Sequence, residues 1–141
     1  MKVVLDTNVL VSGLLVPDGP PGDILRMAAA GLLQLCYDAR ILLEYEAVLR
    51  RPKFPFRAAD VAAFLEQVRA GGVEVAALPL AQPLPDPSDE VFLEAALAGA
   101  AECLVTGNRR HFPTPRCMGV RVLAPSEFLE FYRQKEAGHI P

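Results

Sequence analysis

Short apolar runs alternate along the chain with longer segments in which apolar residues recur at helical spacing. The runs are rich in aliphatic and β-branched residues, which is typical of strands that are covered on both faces. Turn-forming residues or helical segments separate them. We predict five strands on this basis, at residues 3–5, 33–37, 73–78, 103–105 and 120–123.

The helical segments between these runs are defined by apolar residues three or four positions apart. Ile41, Tyr45 and Val48 share one face of a helix that Asp38 begins and Pro52 ends. No element is assigned to residues 7–16. Strands that alternate with helices predict an α/β protein whose parallel sheet has helices over both faces. Further helices are predicted at residues 23–31, at 61–68, from 89 onwards and at 125–134.

The composition describes one compact domain. The chain has 141 residues, of which 52% are hydrophobic and 22% charged, and we predict a single domain at residues 1–134 followed by a loose tail at 135–141. No apolar stretch reaches the roughly 18 residues of a membrane helix, and Asp6 stands where a signal peptide has its apolar segment. We therefore expect a cytoplasmic protein.

Charge and cysteine content narrow the class of function. A net charge of −3 argues against a sequence-reading DNA binder, although a nuclease with clustered carboxylates is compatible with it. The three cysteines, Cys36, Cys103 and Cys117, have no CxxC spacing, so neither a disulfide framework nor a zinc site is expected.

Polar residues that follow the predicted strands are the candidates for chemistry. Ligands of open α/β sheets bind at the carboxyl ends of the strands. Asp6 follows the first strand, Thr106 and Asn108 follow the fourth, Asp89 begins a helix, and Glu44 lies on the helix after the second strand. Oxygen ligands without Cys or His suit Mg²⁺ or Mn²⁺. Such ions activate water and stabilise charge on a phosphoryl oxygen, as phosphodiester hydrolysis requires.

Each of these acids also has a structural interpretation. Asp6 fits a turn or cap after its strand, and Asp89 is a favourable acid in the first turn of a helix. Glu44 and Glu46 both flank the apolar stripe centred on Tyr45, so periodicity does not choose between them. The spacing alone leaves the membership of the site open.

The remaining polar residues of interest have weaker signals. Histidine changes its charge near neutral pH, so His111 is a candidate acid or base. A structural or peripheral position is the simpler interpretation. Asp86, just before a proline, is interpreted as a loop residue. Two short basic clusters either are solvated surface or contact phosphates, and they consist of Arg50, Arg51 and Lys53, and of Arg109 and Arg110.

Four segments resemble the sequence blocks of PIN-domain proteins, in that family's order. The second segment is similar to one subfamily, described as toxin components of toxin–antitoxin systems. The resemblance spans about residues 2–133. The four segments are VVLDTNVLVS at 3–12, EYEAVLRRPKF at 44–54, DPSDEVFL at 86–93 and LVTGNRRHFP at 104–113.

The resemblance implies an α/β/α sandwich with a five-stranded parallel sheet of order 3-2-1-4-5. It also implies an endoribonuclease that depends on Mg²⁺ or Mn²⁺, acts on RNA, and has an antitoxin protein and a second copy of itself as partners. The basic clusters would then grip RNA phosphates. The family's acids fall on Asp6, Glu44 and Asp89, and its supporting polar positions fall on Asn8, Ser12 and Thr106.

The chain departs from the family pattern at Asn108, where many PIN proteins have a fourth acid. An amide oxygen still ligates a metal or its water but brings no charge. Asn108 at this position leaves three outcomes open, which are one-ion chemistry, weak activity, or a second ion that binds only with substrate. The alternative function is a nucleic-acid- or partner-binding module with little catalysis. A response-regulator-like domain is more distant, because its usual acid pair and lysine are not evident.

Overall fold

The computed structural model describes residues 1–138, which form one five-stranded sheet between layers of helices. All neighbouring strands are parallel, and their order is β3-β2-β1-β4-β5. This arrangement confirms the predicted α/β/α sandwich and its sheet order. The strands are β1 (Lys2–Leu5), β2 (Gln34–Tyr37), β3 (Val73–Glu74), β4 (Cys103–Val105) and β5 (Val122–Leu123).

Six α-helices within residues 1–138 cover the sheet, and helix α5 packs across β1, β2 and β4. Asp38 caps α3 as predicted, because its Oδ1 accepts a hydrogen bond from the Ile41 N–H at 3.0 Å. None of the helices within residues 1–138 is long and apolar enough to cross a membrane. The helices are α1 (Thr7–Leu15), α2 (Pro20–Ala29), α3 (Ala39–Leu49), α4 (Ala58–Gly71), α5 (Glu90–Ala98) and α6 (Pro125–Glu136).

The central strand β1 lies in the middle of the core. Val3, Val4 and Leu5 have no exposed surface, since strands pair on both edges of β1 and helices cover both faces. The hydroxyl of buried Tyr45 donates a hydrogen bond of 2.5 Å to the Leu5 carbonyl. That bond fixes helix α3 to the carboxyl end of β1, where the next residue is Asp6.

Several predicted boundaries were wrong, mostly at the margins of the sheet. Strands β3 and β5 have two residues each, against the longer runs predicted at 73–78 and 120–123. They are edge strands with a partner on one side only, so fewer backbone pairs define them.

The three cysteines are buried and unpaired within the described residues.

The helical boundaries differ as well. Helix α1 fills residues 7–15, to which the pattern gave no element, and α2 begins at Pro20 instead of 23. Proline suits the first turn of a helix, where its missing N–H has no partner to lose. Helix α6 continues to Glu136, two residues into the predicted tail, and residues 139–141 of that tail lie outside the described part of the chain.

Candidate metal centre

The carboxyl ends of β1 and β4 place Asp6 and Thr106 side by side. The Asp6 N–H donates to the Val105 carbonyl at 2.9 Å, which continues the pairing of the two strands by one residue. The Thr106 hydroxyl then donates to Asp6 Oδ2 at 2.8 Å. Both residues are buried. The next strands along the chain, β2 after β1 and β5 after β4, lie in opposite directions from this pair in the strand order, which is the place where open α/β sheets bind ligands.

Asn8 supports this pair from the first turn of α1. Its Oδ1 accepts a hydrogen bond of 3.0 Å from the Gly107 N–H, and its Nδ2 lies 3.4 Å from Asp6 Oδ2. A backbone N–H only donates, so this contact fixes which end of the amide faces Asp6. Ser12 lies one turn further along α1 and is exposed.

Glu44 reaches the same edge from helix α3. Its Oε2 accepts a hydrogen bond of 2.8 Å from the Thr7 hydroxyl, and Thr7 directly follows Asp6. Glu46 lies two positions later on α3 and forms an exposed ion pair with Arg50, with 3.4 Å between Oε2 and Nη2. The structure therefore places Glu44 beside the Asp6 segment and pairs Glu46 elsewhere.

Asp89 enters the centre from a 3-10 helix, Pro87–Asp89, that leads into α5. The residue is only 7% exposed. Its Oδ2 lies 3.0 Å from Nδ1 of His111, but the contact lacks hydrogen-bond geometry, and Oδ2 has no hydrogen-bond partner within residues 1–138. A buried carboxylate oxygen without a partner is unfavourable unless a proton or a cation reaches it.

His111 and Asp86 are close to Asp89, although the sequence favoured peripheral and loop roles for them. One ligand atom from each of the three residues lies within 4.8 Å of the others. Asp86 also has the predicted loop function, because its Oδ1 accepts hydrogen bonds from the Ser88 N–H and hydroxyl at 2.9 and 2.8 Å. Asn108 is next to this group, with its Nδ2 2.8 Å from His111 Nε2.

The electrostatics of the centre follow from burial and from like charges. Burial raises the pKa of Asp6, and repulsion from Glu44 adds to this, against the hydrogen bond from Thr106. Burial and then repulsion from Asp6 raise the pKa of Asp89 to about 6, against the attraction of His111. Glu44 therefore acts on Asp6 and Asp6 acts on Asp89, and the charged forms of Asp6 and Asp89 are disfavoured without a cation.

The raised pKa values predict a pH-dependent stability of the metal-free protein. A carboxyl whose pKa rises on folding stabilises the fold below its unfolded value, and this stabilisation is lost as pH rises through the folded value. With the Asp89 pKa raised from 3.8 to about 6, the loss falls mainly between pH 4 and pH 6. We expect the melting temperature in EDTA to fall by about 3–6 °C across that interval.

Calorimetry in EDTA at several pH values measures this fall, and Asp89→Asn is the matched variant. The variant has no carboxyl to titrate at this position, so its melting temperature should vary less between pH 4 and pH 6. An equal pH dependence in the two proteins would show that Asp89 is not a source of the effect.

The five basic residues predicted to bind RNA lie on the surface, close in sequence to helix α3 or to Asn108. Arg109 pairs with Glu127 at 3.3 Å, and Arg50 pairs with Glu46. All five are exposed: Arg50, Arg51 and Lys53 follow helix α3, and Arg109 and Arg110 follow Asn108.

The ligand types of the predicted acids suit a hard divalent cation, although the ligand atoms that lie within 4.8 Å of one another in the described residues belong to Asp86, Asp89 and His111 and not to Asp6 or Glu44. Asp6, Glu44 and Asp89 offer carboxylate oxygens, the ligands that Mg²⁺ and Mn²⁺ prefer. Asp89 Oδ2 has His111 Nδ1 at an ion-pair distance but no hydrogen bond of regular geometry, and a bound cation would complete its contacts. Binding of two positive charges would also oppose the burial and, after it, the repulsion that raise the pKa values of Asp6 and Asp89.

Comparison with known proteins adds one match. The family model described as PIN domain matches residues 2–110, a segment that contains Asp6, Glu44, Asp89 and Asn108. No curated protein matches the chain.

Proposed function

The chain belongs to the PIN domain family, and from this premise we propose that it is an endoribonuclease that depends on Mg²⁺ or Mn²⁺. PIN domains are generally metal-dependent nucleases. The observation that carries the proposal lies at the carboxyl end of β1: Asp6 and Asp89 are buried, and their pKa values are raised by burial and by a neighbouring acid, which is Glu44 for Asp6 and Asp6 for Asp89. This is a place where a fold of this kind binds ligands.

The proposed reaction is hydrolysis of an RNA phosphodiester bond. Water oxygen forms a bond to phosphorus, one backbone P–O bond breaks, and the departing oxygen takes up a proton. A bound divalent ion lowers the pKa of a water and stabilises charge on phosphoryl oxygens. Asp6, Glu44 and Asp89 would hold the ion, and Asn108 lies at the border of this group.

The neighbouring polar groups would keep the ligands in position. The hydroxyls of Thr106 and Thr7 hold Asp6 and Glu44 at 2.8 Å each, and Asn8 ties Asp6 to the loop after β4. Ligand groups held in this way lose little freedom when an ion binds.

The exposed basic residues would bind the phosphates on either side of the cleaved bond. Arg110 follows Asn108 by two positions and is exposed, which makes it the best placed of the five. Arg50 and Arg109 would have to exchange or share their pairs with Glu46 and Glu127. Exposed pairs of this kind contribute about 0–1 kcal/mol, so exchange costs little.

A matched pair of variants on helix α3 tests the proposal. Glu44→Gln should reduce cleavage of single-stranded RNA in Mn²⁺ by on the order of 10²-fold, because it removes a charged ligand. Glu46→Gln removes the same charge two residues away and should leave cleavage within about twofold of wild type. Cleavage rates on a labelled RNA, with melting temperatures of all three proteins, provide the comparison.

Equal cleavage rates for wild type and Glu44→Gln would show that Glu44 has no role in the reaction. Binding of RNA without any cleavage in Mn²⁺ would instead favour the second candidate, a PIN-fold binding module with little catalysis. The specific observation behind that candidate is Asn108, which supplies an amide where many PIN proteins have an acid.

We also propose that the protein acts in the cytoplasm as the toxin of a toxin–antitoxin pair. The sequence segment at 44–54, similar to that subfamily, supports this role. Induced expression of wild type should arrest bacterial growth, and Glu44→Gln should not. An antitoxin partner would be a protein whose co-expression restores growth and which co-purifies with the chain.

A homodimer is the proposed assembly. Leu43 on α3 is 66% exposed and lies beside a groove of about 340 Å³ that Leu42, Tyr37 and Leu65 help to line. Covering such apolar surface would favour association. Light scattering at micromolar concentration should give about twice the chain mass of 15.3 kDa, and a mass of one chain at all concentrations would exclude the dimer.

A further inference from the structure

Within residues 1–138, His111 is the one nitrogen ligand beside the acids, and its distance from Asp89, which is that of an ion pair, also suits two ligands of one ion. Nδ1 of His111 and Oδ2 of Asp89 are 3.0 Å apart. An octahedral ion with bonds of about 2.1 Å holds neighbouring ligand atoms about 3.0 Å apart. A carboxylate oxygen of Asp86 completes a set whose atoms lie within 4.8 Å of one another.

The surroundings of Asp89 point to a ligand at this place. Asp89 is 7% exposed, and its Oδ2 is buried without a hydrogen-bond partner in the described residues. It faces Nδ1 of His111 at an ion-pair distance of 3.0 Å, without a hydrogen bond of regular geometry between them. A cation between the two atoms would satisfy both lone pairs at once.

Asn108 explains how the imidazole would be kept ready for a cation. Its side-chain amide is 2.8 Å from Nε2, the other ring nitrogen of His111. In the structure the Nδ2 end faces Nε2 and donates to it, which leaves the ring proton on Nδ1. The two ends of an amide are nearly alike in shape, so a rotation of 180° would present Oδ1 to Nε2 at the same distance. Nε2 then carries the proton and donates to Asn108, which leaves the lone pair of Nδ1 for a metal.

We propose that Asp86, Asp89 and His111 form a second cation position that shares Asp89 with the first, with Asn108 as the residue that orients the imidazole. The proposal deepens the proposed nuclease function and rests on it for the first ion only. The position occupied by a fourth acid in many PIN proteins would here hold a histidine in place and would not bind the metal itself.

The ligand chemistry predicts which ion this second position takes. An imidazole nitrogen with two carboxylates favours first-row transition ions over Mg²⁺, whereas the oxygen set of Asp6 and Glu44 accepts either. Mn²⁺ should therefore bind the second position at least about tenfold more tightly than Mg²⁺ does.

Pulsed electron paramagnetic resonance of the Mn²⁺-loaded protein detects a nitrogen bound directly to the metal. Wild type should show this nitrogen coupling, and His111→Gln should lose it. The sequence contains one other histidine, His139, and His139→Gln is the matched control that should keep the coupling. Calorimetric titration should count two Mn²⁺ ions per chain in wild type and one in His111→Gln.

Two further variants keep the test independent of whether His111→Gln folds. Asp86→Asn retains a side chain suited to capping and should weaken the second Mn²⁺ by about tenfold or more. Asn108→Ala removes the partner of Nε2 and should weaken it by about 10–100-fold, while the first ion is unaffected.

The inference is overturned if Mn²⁺-loaded wild type shows no nitrogen coupling, or if His139→Gln abolishes it. RNA cleavage is recorded with the same proteins so that the two proposals separate. Cleavage without nitrogen coupling would support the proposed nuclease and contradict the second cation position. Nitrogen coupling without cleavage would support the second position and count against the nuclease.

Discussion

Asp6→Asn is expected to raise the melting temperature of the metal-free protein by about 3–5 °C and to remove RNA cleavage at the same time. The carboxyl of Asp6 is buried, and burial with repulsion from Glu44 raises its pKa. An amide has no charge to desolvate and still accepts the hydrogen bond from Thr106. Cleavage should fall by on the order of 10²-fold or more, since the ion loses a central ligand.

The opposite signs of these two effects make the variant informative. A loss of activity through unfolding would lower the melting temperature, so a more stable and inactive protein separates function from folding. Asp18→Asn is the matched control, because Asp18 is exposed and the change in charge is the same. Calorimetry in EDTA and cleavage assays in Mn²⁺ measure both effects. A destabilised Asp6→Asn protein, or one that cleaves like wild type, contradicts the assigned role.

Millimolar Mn²⁺ is expected to raise the melting temperature of the wild-type protein by about 10 °C. An ion at 100 times its dissociation constant stabilises the fold by about 2.7 kcal/mol, and each kcal/mol corresponds to a few degrees for a chain of this size. The gain should be larger at pH 7.5 than at pH 5, because protonation of Asp6 and Asp89 competes with the ion.

Asp6→Asn and Asp89→Asn should each reduce this shift by more than half, whereas Asp18→Asn should retain it. Differential scanning fluorimetry across a Mn²⁺ series provides the measurement. A wild-type melting temperature that does not move with Mn²⁺ would mean that the three acids do not form a metal site. A shift of equal size in Asp6→Asn would place the ion elsewhere on the protein.

The hydrophobic pattern predicted the α/β class because the central strands carry their own signal, and the order of the strands came from the family resemblance. The runs at 3–5 and 103–105 are apolar at every position, which is the mark of a strand buried on both faces, and both match the structure. The edge strands β3 and β5 have only two residues each and contain no such apolar run. Helix α1 contains Thr7, Val9, Val11 and Gly13, residues with modest helical propensity, and tertiary packing makes it helical.

The site was only partly accessible from the sequence. The ends of the predicted strands pointed to Asp6 and Thr106. Glu44 was preferred to Glu46 as the helix acid because of the resemblance to PIN domains, since the spacing did not distinguish the two. The proximity of His111 and Asp86 to Asp89 depends on how the loop after β4 returns to the start of α5. Local patterns of hydrophobicity do not encode such a contact, because it joins residues more than twenty positions apart through the tertiary fold.

Cleavage of a fluorescently labelled single-stranded RNA by purified wild-type protein is the most direct test of the metal-dependent ribonuclease. Reactions are run in Mn²⁺, in excess EDTA, and after Mn²⁺ is restored, with Asp6→Asn purified in parallel to reveal any contaminating nuclease. We expect internal cleavage in Mn²⁺, none in EDTA, recovery when Mn²⁺ returns, and none with Asp6→Asn. Cleavage that persists in EDTA, cleavage of equal rate with Asp6→Asn, or intact RNA with Mn²⁺-loaded wild type would contradict the account.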